Sequence, residues 1–344
     1  LDILRHPVTH PSAWRGCDLA GDRSWIIELT PAQSGELERV AERALGRGVP
    51  VTSMGRKDFA FEECAALLED VRQRVVDGLG FVLVRGLPVA GRSRERVRAM
   101  VWALGTRIGY GVTQNLQGDL LAEITDRGYD VNSLDVKPSQ TNAEQRPHTD
   151  PADIVALLCV NAAMSGGLSR IASTMAIYNA VLARHPEYLE WLYRGFHHNL
   201  RGDASAAAPH GCTPKPIPVY RHFQGALSCV FNASTIKEAQ RRMGALVPEA
   251  EMQAIDTMVG LAQSDEYRLD MDFRPGDLQV VNNYTVMHWR TGFSDWPDAD
   301  RKRLLYRLWL KADNLRPVDP EMAEGYITGA QTGKPLSGGA GAYG

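Results

Sequence analysis

From about residue 145 onward the chain is broken into short, β-rich apolar runs: "IVALLCVN" (154–161), "ALSCVFN" (226–232), "YRLDMDF" (267–273), "LQVVNN" (278–283) and "RLLYRLWL" (303–310). Each has the length and composition of a strand, and turns such as Ser165-Gly-Gly and Arg274-Pro-Gly-Asp separate them. Helical inserts around 174–194 and 235–264 interrupt the series. No regular strand–helix alternation runs through it, which argues against a doubly wound parallel sheet. The spacing predicts a mainly β fold with α decoration, a sandwich or jelly-roll core flanked by helices.

The first third reads differently. Thr30-Pro31 makes an N-cap and first helical residue, followed by Leu37, Val40, Ala41 and Ala44 at helical spacing. Leu67, Leu68, Val71 and Val75 predict a second helix, ended by Gly78 or Gly80. "FVLVRG" (81–86) is a buried strand, and "SRERVRAMVWALGTRIG" a third helix with Val97, Met100, Val101 and Leu104 on one face. With no internal repeat or low-complexity linker, the expectation is one domain over 1–344, its α/β portion (1–130) packed on the β core. The polar stretch 129–146 contains no obvious regular element and is a candidate lid. The Gly-rich tail, 335–344, is expected to be mobile.

At 44% hydrophobic and 23% charged, these 344 residues can build a sizeable core. A net charge of −3 gives no support for a nucleic-acid or anionic-membrane surface. The five cysteines form no CxxC pair, and the opening "LDILRHPVTHPSAW" has no apolar signal-peptide core. No run approaches membrane-spanning length. A cytoplasmic protein acting on a small molecule is expected, and a homo-oligomer stays open.

"RPHTDPAD" (146–153) stands at the entrance to the first of these strands. Residues i and i+2 of a strand share a face, so His148 and Asp150 can aim an imidazole and a carboxylate at one point. Alone, the triplet is more simply a strand-entry sequence. A metal site needs a third ligand, and His288 closes an apolar run on a distant strand. A buried histidine hydrogen-bonded near Trp289 explains it as readily. In "RKRLLYRLWL" the same alternation puts Arg303, Leu305, Arg307 and Trp309 on one face. Both faces look buried, and a buried guanidinium needs an anion. An internal salt bridge or the carboxylate of a small substrate would serve.

In this order and spacing, H-T-D, "SGGLS" (165–169), "NNYTVMHWRTGF" and R-x-L-L-x-R-L-W-L resemble the TauD/TfdA family of Fe(II)/2-oxoglutarate-dependent dioxygenases. "GFVLVRGLP" and "LGTRIGYGVTQNLQGDLLAEITDRG" extend the resemblance over most of the chain. It implies a double-stranded β-helix core and an iron site of His148, Asp150 and His288. It implies that Arg303, fifteen residues after His288, binds the distal carboxylate of 2-oxoglutarate. Ser169 matches a position that is often Thr and bonds the same carboxylate. Arg307 matches one that contacts an anionic substrate group in some relatives.

Two imidazoles and a carboxylate leave positions on iron for 2-oxoglutarate and O₂. The expected activity is therefore an oxidoreductase, most simply a hydroxylase, coupled to decarboxylation of 2-oxoglutarate to succinate and CO₂. Desaturation, cyclisation and epimerisation use the same ligands. Asp150 disfavours halogenation, because related halogenases carry a small residue there. The alternatives are a zinc-dependent hydrolase using the same three residues, which leaves Arg303 without a purpose, and a non-catalytic jelly-roll binding module.

Overall fold

The computed structural model describes residues 2–115, 117–201, 209–244, 247–312, 315–320 and 322. A single turn, α1 (Gly16–Leu19), and a short strand, β1 (Ile26–Glu28), precede α2 (Pro31–Leu45). The Thr30 hydroxyl accepts the Gln33 amide while the Gln33 side chain accepts the Thr30 N–H, a reciprocal cap that starts α2 at Pro31. The spacing-predicted helices follow: α3 (Ala65–Val76), which buries Leu67, Leu68, Val71 and Val75, then β2 (Phe81–Arg85) and α4 (Arg94–Ile108), capped by Ser93. Two short strands, β3 (Tyr110–Gly111) and β4 (Leu121–Ile124), end this portion.

The remainder supplies β5 (Ile154–Asn161), β6 (Ser165–Gly166), β7 (Ser169–Ser173), α5 (Thr174–Arg184), α6 (Leu189–Arg194), β8 (Tyr220–Phe223) and β9 (Ala226–Cys229). Then come α7 (Ala233–Met243), α8 (Glu249–Gln263), β10 (Arg268–Met271), β11 (Leu278–Asn282), β12 (Val286–Arg290), β13 (Phe293–Ser294) and β14 (Leu304–Lys311). The expected insert over 235–264 is thus two helices. Gly244, in the left-handed region at φ 61°, ends the first of them.

A seven-stranded sheet runs β1-β2-β11-β5-β14-β3, with β4 also paired to β14. A three-stranded sheet runs β10-β7-β12, antiparallel throughout. Four strands of the large sheet, β1 to β4, come from the first 124 residues.

Alternation along the strands sorts side chains into layers. On β14, Leu304, Tyr306, Leu308 and Leu310 pack among residues of α2, α3 and α4. Leu305 and Trp309 face the other way and share a core with Ile171, Leu269 and Val286 of the small sheet. β5 divides likewise, Ile154, Ala156 and Leu158 against Val155 and Cys159. The far side of the small sheet, Ala172, Met287 and Trp289, is covered by α5 to α8 through Tyr178, Leu192, Ile236 and Met258. The order is helices, large sheet, small sheet, helices.

Helices hold 35% of the residues and strands 22%, so the β core is not the larger part of the chain. The reason is physical: each sheet has an apolar outer face, and covering both takes longer elements than the strands themselves. The stretch 129–146 does contain a regular piece, a 3₁₀ turn at Pro138–Gln140. The tail 335–344 lies outside the described residues. Among the described residues no helix is long and apolar enough to cross a membrane. All five cysteines are free, and burial pushes the Cys64 and Cys159 thiols up to about 12, which leaves them unreactive.

Candidate metal centre

His148 and His288 face each other across a backbone bridge, each amide donating to the other's carbonyl at 3.2 and 2.9 Å. Between His148 and Asp150, Thr149 turns the opposite way. Its amide donates to Phe231 O at 2.7 Å and its hydroxyl accepts the Phe231 amide at 2.9 Å. The Asp150 amide donates to Asn283 Oδ1 at 3.2 Å. Extended backbone tied down on the Thr149 side therefore presents the His148 and Asp150 side chains together.

The ligand atoms of His148, Asp150 and His288 lie within 4.8 Å of one another. His148 Nε2 is 3.7 Å from Asp150 Oδ1, and His288 Nε2 is 3.5 Å from Asp150 Oδ2. The His148 Nδ1–H donates to Arg146 O at 2.8 Å, which leaves the Nε2 lone pair aimed inward. Burial, then the neighbouring His288, lowers the His148 imidazole to about 4. Burial alone would raise the Asp150 carboxyl; Arg307, followed by His288 and His148, overcomes it and holds the group well below the usual carboxylate range. A neutral imidazole and an ionised carboxylate are the protonation states a divalent metal requires. Two histidines and one carboxylate on one side suit non-haem iron.

Asp150 is itself held. Its Oδ2 accepts Arg307 Nη1 at 3.1 Å and Trp309 Nε1 at 2.8 Å. Arg307 Nε donates in turn to Gln114 Oε1 at 2.8 Å. Arg307, which the resemblance assigned to substrate, thus orients the Asp150 carboxylate while also lining the pocket beyond it.

Arg303 stands differently. A narrow cavity of about 40 Å³ between the sheets is lined by His148, His288, Ser169 and Arg303 together. The guanidinium is buried, and burial lowers its pKa. Its Nη1 has no hydrogen-bond partner among the described residues, and its charge rests 5.0 Å over the Phe293 ring. A Cβ on Gly167 (φ +69°) would come 3.1 Å from Arg303 Nε, so the glycine leaves this arm its room. Ser169 Oγ accepts only a long bond, 3.5 Å, from Gln279 Nε2. An orphaned buried cation beside a free hydroxyl fits the carboxylate of 2-oxoglutarate.

Sequence reasoning missed three neighbours. Trp309 and Gln114 complete the Asp150 cluster, and Trp309 was legible two residues from Arg307 on the same face. Arg290, two residues past His288, reaches carbonyls of the 129–146 segment: Ala143 at 2.6 Å, Thr141 at 2.5 Å and Pro138 at 3.2 Å. The same segment is tied through Lys137 Nζ to Gln114 O at 3.2 Å, by Asn199 Nδ2 to Leu134 O at 2.9 Å, and by an Arg242–Asp135 ion pair. A roomier cavity, about 260 Å³, lies beyond the Asp150–Asp153 turn, but neither histidine lines it. The candidate ligands line the narrower pockets instead.

The model of the family described as "Taurine catabolism dioxygenase TauD, TfdA family" matches residues 46–309. The FR-33289 synthase of Streptomyces rubellomurinus is 31% identical over 325 residues, covering 92% of this chain and 94% of that protein. Asparagine oxygenase in complex with Fe(II), 3-hydroxyasparagine and succinate superposes with a TM-score of 0.66 at 16% identity, over 88% of this chain and 99% of that one. The non-heme iron oxygenase OrfP with Fe and alpha-ketoglutaric acid gives 0.61 at 14% identity, over 88% and 100%.

Proposed function

The chain belongs to the TauD/TfdA family of dioxygenases, and we propose that His148, Asp150 and His288 are its iron ligands, with Arg303 and Ser169 binding 2-oxoglutarate. The enzyme is a non-haem Fe(II)/2-oxoglutarate-dependent oxidoreductase. Iron, 2-oxoglutarate and O₂ supply the oxidation, a substrate C–H bond becoming C–OH as 2-oxoglutarate leaves as succinate and CO₂.

The chain's own residues set the stage. Arg307 and Trp309 fix one Asp150 oxygen, so the carboxylate presents the other. The Arg146 carbonyl fixes the His148 tautomer. Arg303 offers a fork, and Ser169 a hydroxyl, at the closed end of the cavity. Apolar walls from Leu157, Phe273 and Leu305 keep water from it. Segment 129–146, gripped by Arg290, closes over the substrate; unchanged hydrogen exchange there on adding substrate would rule that out. The substrate is a small organic anion, with Arg307 at the wall of its pocket, and its oxidation takes place in one domain spanning the chain.

The observation that carries the reading is Arg303, a buried cation with an unmet Nη1 in the cavity both histidines line. Anaerobic addition of Fe(II) and 2-oxoglutarate tests it. A weak visible charge-transfer band is expected, then succinate on admitting air. Absence of both would leave a zinc hydrolase or a binding module.

A further inference from the structure

The motif Asn282-Asn-Tyr-Thr285 closes β11 and leads into β12, the strand that carries His288. Its two asparagines are buried, which is destabilising in a connection between core strands unless their amide groups are paired. Asn282 serves the scaffold. Its Nδ2 donates to Val75 O, in the last turn of α3, at 3.2 Å, and its Oδ1 accepts the Tyr284 amide at 3.0 Å.

Asn283 instead bonds the Asp150–Asp153 turn at three points. Its Oδ1 accepts the Asp150 amide at 3.2 Å, its Nδ2 donates to Ala152 O at 2.9 Å, and its own amide donates to Asp153 O at 3.0 Å. Both side-chain partners are backbone groups, one a donor and one an acceptor, so the sense of the Asn283 amide is fixed. The turn is also closed on itself, Ala152 N–H donating to Asp150 O at 2.9 Å across Pro151. Tyr284 donates its hydroxyl to Asp153 Oδ1 at 2.8 Å, and the other Asp153 oxygen accepts the Ala312 amide, one residue past β14, at 3.1 Å.

Arg307 and Trp309 grip the Asp150 carboxylate at its tip, yet a side chain held only there still swings when its backbone shifts. Asn283 holds the backbone end. It stands five residues before His288 on the same β11–β12 connection. One side chain therefore ties the segment that bears the carboxylate to the strand that bears the distal imidazole. Resting on the assignment of His148, Asp150 and His288 as ligands, we propose that Asn283 is a positioning residue for Asp150, setting the affinity and geometry of the metal without touching it. Asn282, its neighbour, holds the same connection to the helices and has no such role.

Co(II) is the probe, titrated into the metal-free chain and read by calorimetry and by its visible d–d bands. Asn283→Ala leaves the Asp150 amide and the Ala152 carbonyl unpaired; it weakens Co(II) at least about tenfold and alters the bands. Asn282→Ala lowers the melting temperature but changes Co(II) affinity less than about twofold. In an Asp150→Ala background, Asn283→Ala weakens Co(II) no further, because it acts through the carboxylate. Asn283→Ser, too short to reach both groups but with room for a water, repeats the measurement if the alanine variant does not fold. Unchanged affinity in a folded Asn283 variant, an equal loss from Asn282→Ala, or an additive loss in the Asp150→Ala background overturns the proposal. Failure of both Asn283 variants to fold overturns it too, making the residue scaffold. Absence of Co(II) binding by the unaltered chain overturns the ligand assignment instead.

Discussion

The two pockets that meet at His148 are built from different materials. On the proposed 2-oxoglutarate side, Ser169 begins β7 and His288 sits within β12, both held by strand ladders, and Arg303 immediately precedes β14. On the proposed substrate side, Lys137, Arg146 and Arg201 stand on irregular backbone, and Ser234 and Thr235 at a helix end. Rigid ladders hold groups to the tolerance that shared chemistry demands. Loops let recognition vary without disturbing it. The first side is therefore expected to fail in catalysis or cosubstrate binding, the second in substrate affinity.

The largest effect should come from the residue between them. Asp150→Asn keeps an acceptor for Trp309 and Arg307, so the fold survives while succinate release falls at least about a hundredfold. Asp150→Ala should also lower the melting temperature, because stranding the buried Arg307 costs roughly 3–5 kcal/mol. Equal melting of the two variants would show that Arg307 does not depend on Asp150. Arg303→Met should raise the KM for 2-oxoglutarate by roughly two orders of magnitude with no loss of stability, read from succinate kinetics and thermal melts. Ser169→Ala should raise the same KM about tenfold, one hydrogen bond to a charged group. Arg146→Gln, at the rim of the second pocket, should shift substrate KM about fivefold and 2-oxoglutarate KM less than twofold. A large 2-oxoglutarate effect there would erase the distinction between the pockets.

Legibility in the sequence follows the same division. His148 with Asp150, and Arg303 with Arg307 and Trp309, could be read because strand alternation fixes which side chains share a face within a few residues. That Arg307 binds Asp150, far away in the sequence, depends on which strands become neighbours, and no local pattern encodes that. The wall of Lys137, Arg201 and Ser234 joins three distant segments through irregular backbone, so it left no periodic trace. β7, "SRIAS", escaped notice because five residues led by Ser and Arg carry too little apolar signal. The helices were visible one by one, yet their combined share was not, since the predicted strands alone set the expected class.

The pairing of β14 with β5 gives the site a parity. Odd-numbered residues from 303 to 309 face the cavity and even-numbered ones face α4. One register irregularity lies at the edge, where Leu304 pairs with Asn161 and Leu305 with Cys159, leaving Val160 as the extra residue. Beyond that bulge, losing one residue would exchange the faces, turning Arg307 toward the helices and Leu308 toward the candidate metal centre while deleting neither side chain. Descendants of this chain can lengthen the loops around the substrate pocket by any number of residues; inside β14 they can change only in twos.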